Sequence, residues 1–548
     1  MKMKGFRIFR LNTTAILLIA FVQPCVWLVR AQQTDSAPHL RKQGSATQLI
    51  VDGQPFLALG GELGNSSSSN VEYMGPVWPK LTGMSINTVL LPVYWELIEP
   101  QEGRFDFTLV DSMIRAARAN HLRLVPLWFA SWKNSMSSYA PAWVKTDQKR
   151  FPRSQEKNGS GMEILSPFSP ANLESDARAF RAFMRHLRET DRDYTVIMVQ
   201  VENEIGMIPD SRDRSAEADR LFNGQVPAEL MSYLQRNKPT IVSELREVWS
   251  RSGFKINGTW EEIFGRGPGT DEIFMAWHFA RFTNAVTEAG KAELSLPMFV
   301  NAALIRPGYQ PGQYPSAGPL PHLMDVWRAG APKIDFLSPD IYFPNVTEWL
   351  RKFDRSGNAM FVPEIRLDNL SAVNAMYAVA QHNSIGFSPF SIENADETNA
   401  KLLNDGYSTL AQLAPLILSN QGKGTMLGLL PDTLDPQRVP QELRLGGYKL
   451  NVTYERAAAN ANPVSGGLII AAGPDEFIVA GTSLVITFTP DSPGDPIAGL
   501  LSVDEGKFVN GKWVAGRRLN GDQTHQGRHI RLEGGKFGIQ RVKLYRYR

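Results

Sequence analysis

Eight short runs rich in apolar and β-branched residues, with amphipathic helical stretches between most of them, constrain this chain more than any other feature. They are PFLALGGEL from Pro55, INTVLLPVYW from Ile86, HLRLVPLWFA from His121, YTVIMVQVENE from Tyr194, PMFVNAAL from Pro297, DFLSPDIYF from Asp335, AMFVPEI from Ala359 and IGFSPFSIE from Ile385. Between the second and third, Val110, Met113, Ile114 and Ala117 recur at helical spacing behind an N-cap candidate at Asp106. Between the third and fourth, Leu173, Ala177, Phe180, Met184 and Leu187 repeat that spacing. Strands alternating with helices in this way predict a (β/α)8 TIM barrel over residues 40–422, enlarged beyond the ~250 residues usual for the fold. The largest insertion is helical, residues 216–292, between the fourth and fifth strands. An open doubly wound sheet is the alternative. Beyond residue 424 the pattern changes to GYKLNVTYE, GLIIAAG, EFIVAG, SLVITFTP, GKFVNGKWVAG and FGIQRVKLYRYR, short strands separated by Gly, Asp and Pro. This reads as a separate C-terminal all-β sandwich over residues 425–548. Its only tryptophan is Trp513, which favours a packing partner over a glycan-binding module.

The first 31 residues carry a basic head (Lys2, Lys4, Arg7, Arg10), an apolar stretch and Val29-Arg30-Ala31 as a cleavage site, which is the layout of a secretory signal peptide. A membrane anchor is the alternative, but Gln23, Pro24 and Arg30 interrupt the run before the ~20 apolar residues a span needs. Without this leader the 58 basic residues fall to 53 against 55 acidic, a net charge of −2, so no electrostatic footprint for nucleic acid is expected. Cys25, the one cysteine, leaves with the leader. An exported, disulfide-free chain points to a bacterial periplasm or exterior and to stability drawn from the core. Eight histidines are scattered without HExxH or Cys/His spacing, so neither a metal nor another cofactor is expected. The sequence leaves oligomeric state open, a homo-oligomer included.

Side chains alternate along a strand, which sorts the carboxylates in VQVENEIG. Thr195, Ile197, Val199 and Val201 share one face, read as facing the helices; Met198, Gln200, Glu202 and Glu204 share the other, read as facing the barrel axis. Glu204 comes last, at the C-terminal mouth where barrel enzymes keep their active sites. Glu202 lies one layer deeper and is expected to orient its neighbours. In AMFVPEI the same test brings Glu364 to the mouth as the last inward residue of strand seven. Two carboxylates facing one opening without a metal suit glycosidic bond cleavage, one protonating the leaving oxygen and the other attacking carbon or activating water. Tyr94 and Trp95, Trp128 and Trp132, Trp143 and Tyr342 recur at strand ends and are read as platforms for sugar faces, with Asn203, Asn301 and Asp340 left for hydroxyls. An oligosaccharide is the expected partner. A non-catalytic carbohydrate-binding barrel would keep the aromatics but has no reason to keep both glutamates.

NTVLLPVYWELIEPQEGRFDF, HLRLVPLWFASWKN, QVENEIG and FVPEI together resemble the retaining β-galactosidases of glycoside hydrolase family 35, in the clan that includes family 42. The resemblance implies double displacement with Glu364 as nucleophile, Glu204 as acid/base and carboxylates about 5 Å apart. It further implies a terminal β-galactosyl unit as the group removed; the insertion at 216–292, with Trp128 and Trp132, is expected to wall the mouth into a pocket that admits chain ends only, hence exo-cleavage, with plant cell-wall oligosaccharides such as xyloglucan fragments as substrates. The chain departs from the family at strand one, which reads GGELGNSSSSN in place of His-Tyr-x-Arg, and at Glu96 and Ile98, where the family carries Asn and His. Glu62 and Glu96 are therefore candidates for taking over hydroxyl contacts. The same departures leave an arabinoside, fucoside or glucoside as the alternative substrate within the clan.

Overall fold

The computed structural model describes residues 37–432, 439–455 and 464–548, with Met1 and Gly5. The candidate signal peptide lies outside the described residues. All eight expected strands form and close into one parallel barrel in chain order. They are β1 (Ala58–Glu62), β2 (Thr88–Tyr94), β3 (Arg123–Lys133), β4 (Val199–Asn203), β5 (Met298–Ala303), β6 (Phe336–Ile341), β7 (Val362–Ile365) and β8 (Gly386–Pro389). Pairing of β8 with β1 and of β4 with β5 completes the ring.

Around it, α1 (Thr108–Ala119) buries the predicted Val110, Met113, Ile114 and Ala117; the cap position is Phe107 rather than the expected Asp106, whose side chain stands one residue earlier and accepts the Thr108 N–H at 2.9 Å. Helix α2 (Pro170–Thr190) starts where Ser169 accepts the Asn172 N–H and Pro170 fits the first turn. Its Phe180 and Phe183 pack on Trp128 of β3. Helix α3 (Pro268–Lys291) lies beside α2 and is buried along most of its length.

One end of the barrel is plugged. A three-stranded antiparallel sheet (His39–Gln43, Ala46–Val51, Gln54–Phe56) turns at Asp52-Gly53, both with positive φ (51° and 74°), as a tight hairpin requires. From it Leu49 and Val51 join Val125, Leu127, Phe129, Phe299, Phe336 and Phe361 in the core inside the ring. An apolar filling at this end leaves polar inward residues only toward the C-terminal ends of the strands.

The C-terminal region holds a six-stranded sheet, from Met426–Leu429 through Gly466–Gly473, Glu476–Thr482, Gly538–Tyr547 and Ile497–Val509 to Lys512–Leu519. It faces a four-stranded sheet of Gln441–Leu445, Tyr448–Tyr454, Leu484–Pro490 and Ile530–Leu532. Tyr448, Leu450, Val452, Phe477, Val479 and Val542 form the core between them. The sandwich is not separate from the barrel, contrary to the expectation. The outer face of the larger sheet (Leu468, Ile470, Ile478, Ala480, Ile539) enters the barrel's own hydrophobic core at α4 (Ser371–Gln381) and α5 (Glu397–Asn420). The reason is visible in the strands themselves: GLIIAAG and EFIVAG are apolar at consecutive positions and so bury both faces, whereas YKLNVTY alternates and buries one. Trp513 and Phe508 pack against this shared core.

Candidate active site

Four carboxylates meet at the open end of the barrel. Glu62 ends β1, Asp340 and Glu364 are register partners on β6 and β7, and Glu204 follows β4; all four are at least 95% buried. One oxygen from each of Glu204, Asp340 and Glu364 lies within 4.8 Å of the other two. Neighbouring donors hold them. The Tyr342 hydroxyl donates to Glu364 Oε1, the Asn134 amide to Glu204 Oε2, and Asn301 Nδ2 to Asp340 Oδ2 at 2.6 Å. Asn301 also accepts the Glu204 backbone N–H at 3.0 Å, so one side chain sets the relation between Glu204 and Asp340. Such a trio is spaced closely enough for a divalent cation, but donors already bound to one oxygen of each suit carboxylates that keep their other oxygen for a polar ligand. Among the described residues, Glu364 Oε2, Asp340 Oδ1 and both amide atoms of Asn203 are buried without a protein hydrogen-bond partner.

The approach of Glu204 depends on an irregularity between β3 and β4. Leu127 and Trp128 pair with Gln200 and Val201, but the next partners are Lys133 and Asn203, so five steps along β3 match two along β4. Glu202 and Glu204 both take the left-handed backbone region, at φ 60° and 44°, which costs a non-glycine residue free energy and concentrates at functional sites. The bulge overturns the simple alternation expected here. Glu202 does not share the axis-facing side with Glu204: its Oε2 accepts the Trp132 backbone N–H at 2.7 Å, and the charge of Asp176, on α2, acts on it. Burial, then Asp176, pushes its pKa well above the carboxylate range. Ile197, expected to face the helices, lies in the core inside the ring, because regular β4 begins only at Val199.

Electrostatics within the mouth follow from crowding. Burial, then the charge of Glu204, pushes Glu364 up to about 7, opposed by Lys133 and by the Tyr342 hydrogen bond. Burial and the neighbouring Glu364 raise Glu62 and Asp340 well above their usual values. Burial and the adjacent Glu364 likewise raise the Tyr342 hydroxyl, keeping it a donor.

The tryptophans do not line the site. Trp95, Trp128 and Trp132 are fully buried and point into the outer layer: Trp95 Nε1 donates to Glu99, Trp128 Nε1 to Asp176 of α2, and Trp132 lies edge-on to Phe279 and Phe282 of α3. The parity that sends Val125, Leu127 and Phe129 inward sends Trp128 and Trp132 outward. Trp143 sits edge-on to Trp95 and Phe151. Glu96 is displaced as well. β2 ends at Tyr94 and the chain turns into a short helix, Trp95–Ile98, so Glu96 faces the rim and pairs with Lys145 at 3.4 Å. The half-buried aromatics at the mouth are instead Tyr139, stacked on Tyr94 with centroids 5.7 Å apart, and Phe390, 6.5 Å from Tyr342 and bridged to Glu62. Lys133, at the inward-facing end of β3, is a further polar residue of the site that sequence reading passed over, although it shares the parity of Phe129.

The insertion at 216–292 does not itself wall the mouth. Its helices Ala228–Arg236 and Ser243–Ser250 pack on the segment after β5, where Asp325 accepts from Tyr233 Oη and the Val242 N–H. Beside Glu204 the chain after β4 clasps the loop after β5, Met207 pairing with Ser316. Gly206 is required there, since a Cβ would lie 2.7 Å from the Pro315 carbonyl carbon.

A closed (β/α)8 barrel with carboxylates gathered at its C-terminal mouth is an architecture of the glycoside hydrolases. In sequence, residues 79–290 match glycoside hydrolase family 42, described as β-galactosidase, and residues 403–531 match DUF5597, a domain of unknown function. Residues 79–290 are thus similar to the family 42 β-galactosidases; the family 35 expected from the sequence is not the one matched, though the two belong to one clan. A β-galactosidase of Xanthomonas manihotis is 27% identical over 214 residues, 38% of this chain and 32% of the relative, so the match spans about a third of that protein. Among solved structures, a cold-adapted β-galactosidase of Rahnella sp. R3 aligns over 66% of this chain and 57% of its own at 15% identity and a TM-score of 0.45. The β-galactosidase of the psychrophilic Marinomonas ef1 aligns over 66% and 60% at 12% identity, also with a TM-score of 0.45. Among the described residues no helix is long and apolar enough to cross a membrane.

Proposed function

We propose that this chain is an exported, retaining, exo-acting β-galactosidase that removes terminal β-galactosyl units from plant cell-wall oligosaccharides, galactosylated xyloglucan fragments foremost. The observation that carries the reading is that one oxygen of Glu204 and one of Glu364 lie within 4.8 Å of each other, a closest approach that suits the ~5 Å separation of retaining enzymes better than the ~6.5–9.5 Å of inverting ones. Glu364 attacks the anomeric carbon with Oε2, while Tyr342 holds Oε1 and fixes the carboxylate plane. As the glycosidic C–O bond breaks, Glu204 gives its proton to the leaving oxygen. Glu204 then takes a proton from the water that displaces Glu364 from the glycosyl-enzyme. Asn203, Glu62 and Asp340 offer unpaired or acidic groups to sugar hydroxyls, and Tyr139 and Phe390 offer ring faces.

The test is Glu364→Gly with an activated aryl β-galactoside. Turnover should vanish and return with azide, giving α-galactosyl azide, because the anion occupies the place of the missing carboxylate. A folded variant that azide does not rescue would place the nucleophile elsewhere. For the substrate, galactose released from the first minutes of a xyloglucan-oligosaccharide digest fits the exo reading, whereas early internal fragments of a linear β-galactan contradict it.

A further inference from the structure

Among the described residues, Lys133 is the cation whose charge acts on Glu62 and Glu364 in a mouth of four carboxylates, and its position is built rather than incidental. It ends β3 beyond the bulge, in register with Asn203, and its backbone is pinned to Met136 in both directions, N–H to carbonyl at 2.8 Å and carbonyl to N–H at 3.0 Å. Its side chain is 95% buried, with Nζ 5.2 Å from the centre of the Phe129 ring, part of the core inside the barrel. Its charge reaches Glu62 on β1, Glu364 on β7 and Tyr139 after β3. Yet among the described residues no carboxylate oxygen lies within 4 Å of Nζ and none of its N–H groups has a hydrogen-bond acceptor. The stem is buried but Nζ is not among the fully buried polar atoms that lack a partner, so the ammonium opens on the space of the mouth, where a ligand can accept from it.

We propose that Lys133 is a substrate-binding residue of this site, its ammonium donating to a ring hydroxyl of a neutral sugar. The inference rests on the glycosidase reading above and adds a residue that recognises one hydroxyl of the sugar. Glu62, Glu204, Asp340 and Glu364 surround the space with acidic groups, and Glu393 after β8 adds a fifth charge acting on Glu62. These acids already crowd one another enough to hold protons, and a uronic acid would add a further carboxylate to the crowd, while a hydroxyl finds both a cationic donor and oxygen acceptors. Phe129 beneath the ammonium and the tight turn at Met136 keep the donor in place before the sugar arrives, which limits the entropy lost on binding. By standing near Glu364, the same charge favours the ionised form that the nucleophile needs.

Lys133→Met, close in length and apolar, tests the inference, with Lys133→Arg retaining the charge and melting curves confirming the fold. Lys133→Met should lower kcat/KM on 4-nitrophenyl β-galactoside by ~10- to 100-fold, the loss of one hydrogen bond to a charged group. It should also move the acid limb of the kcat/KM profile to higher pH, a change that a purely structural role does not produce. Across the 2-, 3-, 4- and 6-deoxygalactosides, one compound should be cleaved equally by wild type and Lys133→Met and so name the hydroxyl. Equal losses on all four compounds, or wild-type kinetics in Lys133→Met, overturn the proposal. Labelling the wild type with a 2-deoxy-2-fluoro-β-galactosyl donor separates the two layers: unlabelled Glu364 sinks the glycosidase reading, whereas labelled Glu364 with an indifferent Lys133→Met sinks this inference alone.

Discussion

Replacing Glu364 by glutamine is expected to end catalysis and to make the protein more stable. In the native state burial and Glu204 hold this carboxyl at a pKa of about 7 against the usual 4.5. Because the folded value is the higher one, the native state keeps its proton while the unfolded chain has already lost it, so stability falls as pH rises from 4.5 toward 7 and is level above that. At 1.36 kcal/mol per pH unit the full loss is about 3 kcal/mol at pH 8, and about 1 kcal/mol has gone by pH 5. Glutamine carries no charge at either pH and accepts the Tyr342 hydroxyl as well as glutamate does. For a chain of this size an unfolding entropy of about 2 cal/mol/K per residue turns 3 kcal/mol into about 3 °C in melting temperature. The assay is a thermal scan of both proteins at pH 8 and pH 5, with glutamine ahead by about 3 °C at the first and about 1 °C at the second. A glutamine variant no more stable at pH 8, or ahead by the same margin at both, would refute the assignment of a strained, proton-retaining carboxyl to this position.

Tyr342→Phe removes the donor that favours ionised Glu364, so the acid limb of kcat/KM should move up from near pH 7 by about 1–2 pH units, in line with ~1.5–3 kcal/mol for a hydrogen bond to a charge; an unmoved limb would mean that another group titrates. Glu204→Ala should slow glycosides with poor leaving groups far more than activated aryl galactosides, measured side by side, since only the former need the proton. Glu202→Gln should cost less activity than Glu204→Gln, because it keeps an acceptor for the Trp132 N–H at the base of the bulge. Trp132→Phe should lower the melting temperature and leave KM unchanged, since the indole packs on α3 outside the mouth.

The barrel was legible because its strands are continuous apolar runs that only a sheet covered by helices can bury, and because Glu364 and Asp340 sit at inward positions where those runs end. The same counting along β3 places Lys133 inward and Trp128 outward, so parity, not aromatic type, decides which side chains reach the mouth. What the local pattern does not carry is the slip between β3 and β4. Nothing in QVENE announces two glutamates with positive φ, since the conformation is imposed by Asn301 on one side and the Trp132–Ser135 turn on the other, residues distant in sequence. Alternation alone therefore gives Glu202 the direction of Glu204, while its depth in the strand is what points to its orienting part, met by the Trp132 N–H. Tyr139 and Phe390 lie in loops, where neither alternation nor helical spacing says which way a ring turns.

The sheet that the barrel and the sandwich hold in common means that this chain cannot be taken apart where its two sequence matches divide. The DUF5597 match begins at residue 403, inside α5, the last helix laid against the barrel. Cutting after that helix would bare Val373 and Tyr377 on α4, which now lie against Gly466 and Gly428 of the larger sheet. Grafting the β region onto another enzyme would leave Leu468, Ile470 and Ile478 equally uncovered. A detachable appendage leaves its barrel whole when it goes; here either part taken alone leaves apolar surface bare, and the β region serves as part of the barrel's wall.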